Sequence, residues 1–371
     1  WYQRRVRELP ILFFSNKDDA DFFHLSNFSV PDRMWCLHLA DKTILVASSL
    51  EYSRAVQQTT CEVLSLSEFT KKDVSIPEQL LAKYNVNEFS VTDSFPCSWF
   101  SKLSALFKIT VLDSQLASRK KKSDEEISLI LKANQAGIAS FDLIKQILKE
   151  STADSDGFLI FENEKLTSEK LKFEVEKLCL SKQCQSIDTI IAGGIQGTDP
   201  HNQGDGPLRS NQLIVCDIFP RHKSGFFGDM TRTFLKGQPT AEQKLQFEQV
   251  LQSHNACELE AQRLLENSGM YKDLGKFCRI WLEQHGRKLE FRQEENRYVG
   301  MTHGLGHGVG LEIHEEPCFR GDAVMEEGDV FTIEPGLYYP EVGGVRIEDS
   351  YYVKGGKVHK FGDYSYDWVV E

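Results

Sequence analysis

The sequence has no run approaching the ~18 consecutive apolar residues that a membrane-spanning helix requires, so no segment reads as a span. Nor is there the basic-then-apolar layout of a secretory signal, although the first residue is Trp1 rather than Met and only the residues at hand bear on targeting. A cytosolic location is the resulting expectation. The nine cysteines, an odd number scattered from Cys36 to Cys318, contain no CxxC pair. They read as free, buried thiols in a reducing compartment rather than as a disulfide framework. Positive charge is scarce: 43 Lys and Arg against 55 Asp and Glu leave a formal charge of -12, and the one short basic run is Arg119 to Lys122. Such a surface repels phosphate backbones and anionic bilayers, so neither nucleic acid nor a membrane is expected as a partner.

What remains is an ordinary globular composition, 40% hydrophobic and 26% charged, over 371 residues, a length that suits about two domains with a core each. Roughly the first 115 residues alternate short apolar runs, such as Pro10 to Phe14 and Thr43 to Ala47, with polar segments, the rhythm of strands between helices and loops. They hold no cluster of chemically active residues. The run SRKKKSDEE, Ser118 to Glu126, breaks the pattern, and Ser123 with Glu126 forms a capping box ahead of an apolar-periodic stretch reaching about Leu148. The expected domains are therefore 1–117 and 118–371, in an α/β (α+β) fold. Helices are expected near 168–181, 240–267 and 272–284, the second opened by a Thr240/Gln243 capping box, and strands near 187–193, 212–219, 226–235, 329–338 and 344–353.

Acidic residues inside apolar strands carry the functional signal. Asp217 stands in LIVCDIF and Glu334 in VFTIEP, where an ionised carboxylate costs several kcal/mol unless a cation compensates it. One layout occurs twice: Asp217 and Asp229 lie twelve residues apart across a turn, and Glu334 and Glu348 fourteen apart across another. Two hairpins offering one carboxylate per arm suggest a pseudo-symmetric domain. For any single acid a buried salt bridge is an equally good reading; four acids beside a histidine-rich loop shift the balance to metal. Carboxylates with one imidazole suit Mn, Co, Fe or Zn, and four carboxylates overcharge one dication but match two. Two ions about 3.5–4 Å apart can share a water and hold it against a carbonyl carbon, which serves hydrolysis. The loop HGLGHGVGLEIH, His303 to His314, supplies three imidazoles among glycines that let the backbone pack closely around a site. On a regular strand, His307 and His314 would face opposite ways, so their convergence requires a bend at the glycines.

The segments HNQGDGPL, CDIFPRHKSGFFGDMTRTF, THGLGHGVGLEIHEEP and GDVFTIEPGLYYPEVGGVRIEDSYYV, in that order, resemble the pita-bread metallopeptidases, which include methionine aminopeptidase, aminopeptidase P and prolidase. The preceding domain resembles the creatinase-type N-terminal domain of the last two. The resemblance implies five metal ligands: Asp217 for one ion, Asp229 and Glu348 as bridging carboxylates, His307 and Glu334 for the second. It implies two divalent ions, with manganese expected and cobalt, zinc or iron as alternatives, and a bridging hydroxide as nucleophile. Glu334 would also pass a proton to the leaving nitrogen. His201, His303 and His314 resemble the histidines that hold the substrate and stabilise the tetrahedral intermediate, and Arg346 the arginine that braces the site, with a salt bridge to one of the acids as its plainer reading. The implied substrate is a peptide with proline second, its ring in a small apolar pocket lined by Phe219 or Tyr338, and the implied assembly is a homodimer.

Two departures bear on specificity. Ile218-Phe219-Pro220 follows the first aspartate where many members have glycine two residues on, and Cys318 follows HEEP where many prolidases carry an arginine for the substrate carboxylate, Arg320 lying two residues further. This favours an Xaa-Pro aminopeptidase over a strict Xaa-Pro dipeptidase. A peptide-binding relative without chemistry would lack ligands, and none is missing; a metal-free creatinase-like hydrolase would not need four acids together with the ligand histidine.

Overall fold

The computed structural model describes residues 9–112 and 115–371. They form two compact units, one ending at Arg119 and the other starting at Lys120. No helix among the described residues is long and apolar enough to cross a membrane.

The first unit is a six-stranded mixed sheet, β1 (Ile11–Ser15), β2 (Met34–Leu39), β3 (Lys42–Ala47), β4 (Glu62–Ser65), β5 (Glu88–Val91) and β6 (Lys108–Val111), in the order β4-β3-β2-β1-β5-β6. Its centre is apolar on both faces because alternate side chains take opposite sides. Leu12, Trp35, Leu37, Ile44 and Val46 pack with Leu80 and Leu81 of helix Ile76–Lys83. Their neighbours Phe13, Met34, Cys36, Leu45 and Ala47 pack with Phe22 of helix Ala20–Ser26 and Ala55 of helix Tyr52–Gln58.

The second unit has two halves built alike. In the first, helices α1 (Asp124–Glu150) and α2 (Ser168–Ser181) cover strands β7 (Ile190–Gly193), β8 (Ile214–Ile218) and β9 (Met230–Lys236), which are antiparallel neighbours in that order. Phe141, Ile144, Leu171 and Val175 from the helices meet Ile214, Cys216, Ile218, Met230 and Phe234 in one core. In the second, α3 (Ala241–Glu266) and α4 (Tyr271–Gln284) cover β10 (Val330–Ile333), β11 (Gly336–Tyr339), β12 (Gly343–Arg346) and β13 (Asp349–Lys354), and Phe247, Val250, Leu274 and Leu282 meet Phe331, Ile333, Leu337, Val345, Tyr351 and Val353. Both expected capping boxes are present, Ser123 with Glu126 opening α1 and Thr240 with Gln243 opening α3.

The two strands expected at 329–338 and 344–353 are each broken in two. Ile333 pairs with Asp349 and Gly336 with Arg346, so one hairpin register runs across the break and sets Glu334 opposite Glu348. The ladder is interrupted at Glu334-Pro335 for a simple reason: Pro335 has no N–H to donate. The two halves join where Thr231 of β9 bridges Glu348, their backbones exchanging N–H···O contacts of 3.4 and 3.1 Å.

Candidate metal centre

Strand parity aims the acids. With Ile214, Cys216 and Ile218 in the core, Asp217 emerges on the opposite face of β8, and with Met230 and Phe234 in the core, Thr231 and Thr233 emerge on the same side of β9. Asp229 stands just before β9, Glu334 just after β10 and Glu348 just before β13. Asp229, His307 and Glu348 each offer a ligand atom within 4.8 Å of the other two. His307 Nε2 lies 3.5 Å from Asp229 Oδ2 and 3.4 Å from Glu334 Oε1.

His307 and His314 do converge, because the chain between them is a closed loop and not a strand. Gly308 and Glu315 pair across its neck, and the two imidazoles meet at 87° with centroids 4.3 Å apart. Glycine is required at close quarters here: a Cβ on Gly306 would stand 2.1 Å from the Thr332 carbonyl oxygen, and one on Gly308 2.3 Å from the Glu316 carbonyl carbon. His307 Nδ1 is 3.1 Å from the Gly308 carbonyl, which fixes Nδ1 as the donor and leaves the Nε2 lone pair facing the acids. Burial first, and then the neighbouring His314, pull the His307 pKa down to about 3, so the ring is neutral, as a ligand must be.

Arg346, at the end of β12, ties the site together. Its guanidinium donates to Asp217 Oδ2 at 2.6 Å, to the Tyr338 hydroxyl at 2.9 Å, to Thr231 Oγ1 at 3.1 Å and to the Pro200 carbonyl at 3.3 Å. The salt bridge to one of the acids, the plainer of the two expected readings, is present. Tyr338 in turn donates to His303 Nε2 at 2.8 Å, while His303 Nδ1 donates to the Gly304 carbonyl at 2.7 Å and lies 3.6 Å from Glu334 Oε2. Burial, followed by the charges of Arg346, His201 and Arg279, brings the His303 pKa to about 3. His201 is exposed, two residues beyond Asp199, whose carboxylate accepts its N–H at 3.1 Å. Burial, followed by the neighbouring His201, also lowers the His314 pKa, so His201, His303 and His314 lie near one another.

Strand parity also brings Thr231 to this face, a residue whose type carries no sign of a metal site. It is fully buried, donates to Glu348 Oε2 at 2.7 Å and accepts from Arg346. Of the two residues expected around the proline ring, Tyr338 is enclosed and bonded to His303 and Arg346, whereas Phe219 is half-buried. Cys216 packs into the core as strand parity requires. Cys318 and Arg320 are exposed on either side of Phe319, which packs 5.0 Å from Tyr271.

The charge balance is what a pair of dications would correct. Four carboxylates, Asp217, Asp229, Glu334 and Glu348, face a single guanidinium. Burial and then the other acids raise Asp229 and Glu348 well above the usual carboxylate range, and burial pushes Glu334 up to about 8. Asp217 Oδ1 is buried with no hydrogen-bond partner. An orphaned carboxylate oxygen beside mutually repelling acids and a neutral imidazole fits divalent ions in the residues present.

The profile of metallopeptidase family M24 matches residues 128–355. The Xaa-Pro dipeptidase of Pyrococcus horikoshii is 28% identical over 343 residues, covering 90% of this chain and 87% of that protein. Among solved structures, an Xaa-Pro dipeptidase from Bacillus anthracis aligns with a TM-score of 0.79 at 20% identity, over 97% of this chain and 94% of that one. An X-Pro aminopeptidase from Thermotoga maritima aligns with a TM-score of 0.78 at 22% identity, over 99% of both chains. The fold is therefore a creatinase-type N-terminal domain followed by a pita-bread domain.

Proposed function

This chain belongs to metallopeptidase family M24, and we propose that it is an Xaa-Pro peptidase that releases the N-terminal residue from peptides with proline in second position. The observation that carries the reading is the meeting of Asp229, His307 and Glu348, with Glu334 beside His307 and Asp217 close enough to raise the Asp229 pKa. Asp217, Asp229, His307, Glu334 and Glu348 would hold two divalent ions, manganese being the expected metal. When bound, such ions supply Lewis acidity and bring the pKa of water towards neutrality.

The remaining work falls to the protein's own groups. Glu334 reaches towards both His303 and His307, where its carboxylate can take a proton from the attacking water and return it to the leaving nitrogen. His201 and His314 hold the scissile carbonyl and donate to its oxygen as charge develops there. His303, 2.8 Å from the enclosed Tyr338 hydroxyl that Arg346 holds, would stand against the pyrrolidine ring.

Two observations point different ways on peptide length. Cys318 occupies the place where many prolidases have a carboxylate-binding arginine, which favours longer peptides and an aminopeptidase; the Pyrococcus horikoshii relative is named a dipeptidase. Release of the first residue from Xaa-Pro, Xaa-Pro-Xaa and Xaa-Ala-Xaa, with Mn or Co added and then chelated, decides between them. Metal-dependent cleavage of the tripeptide before proline supports the aminopeptidase, cleavage confined to the dipeptide makes the protein a prolidase, and no cleavage by the metal-loaded protein refutes the Xaa-Pro reading. The homodimer rests on the family resemblance alone and is tested by light scattering.

A further inference from the structure

Lys122 and Glu315 form an enclosed ion pair, with side-chain exposures of 2% and 1%. Lys122 lies just ahead of α1, its backbone N–H bonded to the Gly328 carbonyl at 2.7 Å. Glu315 is the neck of the loop that carries the site's histidines. Its backbone pairs with Gly308 through bonds of 3.1 and 3.0 Å, and its Oε2 accepts the Glu312 N–H at 3.1 Å. The loop is drawn so close around the carboxylate that a Cβ on Gly310 would lie 2.2 Å from Glu315 Oε1. His314 directly precedes Glu315 and His307 directly precedes Gly308, so the neck sets where both imidazoles stand.

Withdrawing both charges from water makes such a pair weak as a source of net stability. What it supplies is geometry: the carboxylate must stay inside the loop, because its counter-charge is there. We propose that Lys122, acting through Glu315, is a positioning residue that sets the placement of His314 against His307. Its effect on turnover rests on the peptidase reading above; its effect on the histidines does not.

The test uses the full chain, with Lys122→Met/Glu315→Gln as a neutral pair, Lys122→Met alone, and Lys122→Arg as the conservative control. In the metal-free protein at fixed pH, ring ¹H–¹⁵N spectra of labelled histidine should show His307 and His314 moving in the neutral pair, while His222 and His254 stay in place and the Arg variant keeps the parent positions. At saturating manganese, kcat/KM for an Xaa-Pro-Xaa peptide should fall roughly ten- to a hundredfold in the neutral pair. His314→Ala should add less than its own full loss on top of it, as expected for groups acting through one another. A folded neutral pair with a lowered melting point but unmoved His307 and His314 signals and parental kcat/KM would overturn the proposal, leaving Lys122 a structural residue only. If the parent itself cleaves no Xaa-Pro peptide, the peptidase reading fails and the ring spectra still decide the positioning role.

Discussion

Replacing Thr231 with valine removes one hydroxyl and almost no volume from the seam between the halves. That hydroxyl donates to Glu348 Oε2 at 2.7 Å and accepts the Arg346 Nε–H at 3.1 Å, in a residue with no solvent exposure. Valine leaves a buried N–H without an acceptor and a buried carboxylate oxygen without its donor, about 2 kcal/mol together for unsatisfied buried groups. For the catalytic unit this corresponds to a fall of roughly 4–8 °C in melting temperature. Glu348 is also freed to rotate away from Asp229 and His307, so manganese affinity should fall about ten- to a hundredfold, or about 1.4–2.7 kcal/mol. Thr233→Val is the control. Its hydroxyl accepts the Arg346 backbone N–H at 3.1 Å and donates to the Arg346 carbonyl at 3.0 Å, touching no acid, so it should lower the melting temperature without changing affinity. Calorimetric titration of manganese into the metal-free proteins, beside thermal unfolding, reads both quantities. Parental affinity in Thr231→Val, or an equal loss in Thr233→Val, would refute the claim that this hydroxyl aims a ligand.

Arg346→Lys offers one ammonium in place of a fork that reaches Asp217, Tyr338, Thr231 and Pro200 together, so kcat/KM at saturating metal should drop by on the order of 10² while the protein stays folded. Gly306→Ala puts a Cβ 2.1 Å from the Thr332 carbonyl oxygen and should destabilise the catalytic unit by about 2–3 kcal/mol, seen in urea unfolding. His254 is buried with its pKa lowered to about 4, chiefly by burial. The unfolded chain therefore binds the extra proton first, at about pH 6.5, and stability is lost as pH falls from there towards 4. His254→Gln should flatten that part of the stability profile by about 3 kcal/mol, measured by denaturant titration across the range.

Much of this candidate site was legible because each proposed ligand breaks a local rule. Asp217 and Glu334 are charges inside apolar strands, and glycines beside His307 mark close backbone approach, so residue type and neighbours suffice to single them out. The helix starts at Ser123 and Thr240 are equally local, each capping box closing within four residues. What escaped depends on partners distant in sequence. The meeting of His307 with His314 depends on a neck made by Gly308 and Glu315. Thr231 looks like any β-branched strand residue until Glu348, 117 positions later, lies against it. Lys122 belongs to a basic run that reads as solvated surface, yet its ammonium is spent on an acid 193 residues away.

The seam at Thr231 and Glu348 makes the site a conjunction. One half contributes Asp217 and Asp229, the other His307, Glu334 and Glu348, and neither list alone resembles a binding site for two ions. Beyond the backbone bridge, the halves are held here by Arg346 bonded to Asp217 and Thr231, and by Arg232 bonded to the Glu348 carbonyl at 2.7 Å and to Asp349 Oδ1 at 2.7 Å. Divalent ions would therefore act as a staple whose strength adds to the docking of the halves. A chain severed at the exposed Gln238 would yield two fragments whose reassociation should tighten with metal concentration, so that the same ions serve chemistry and assembly.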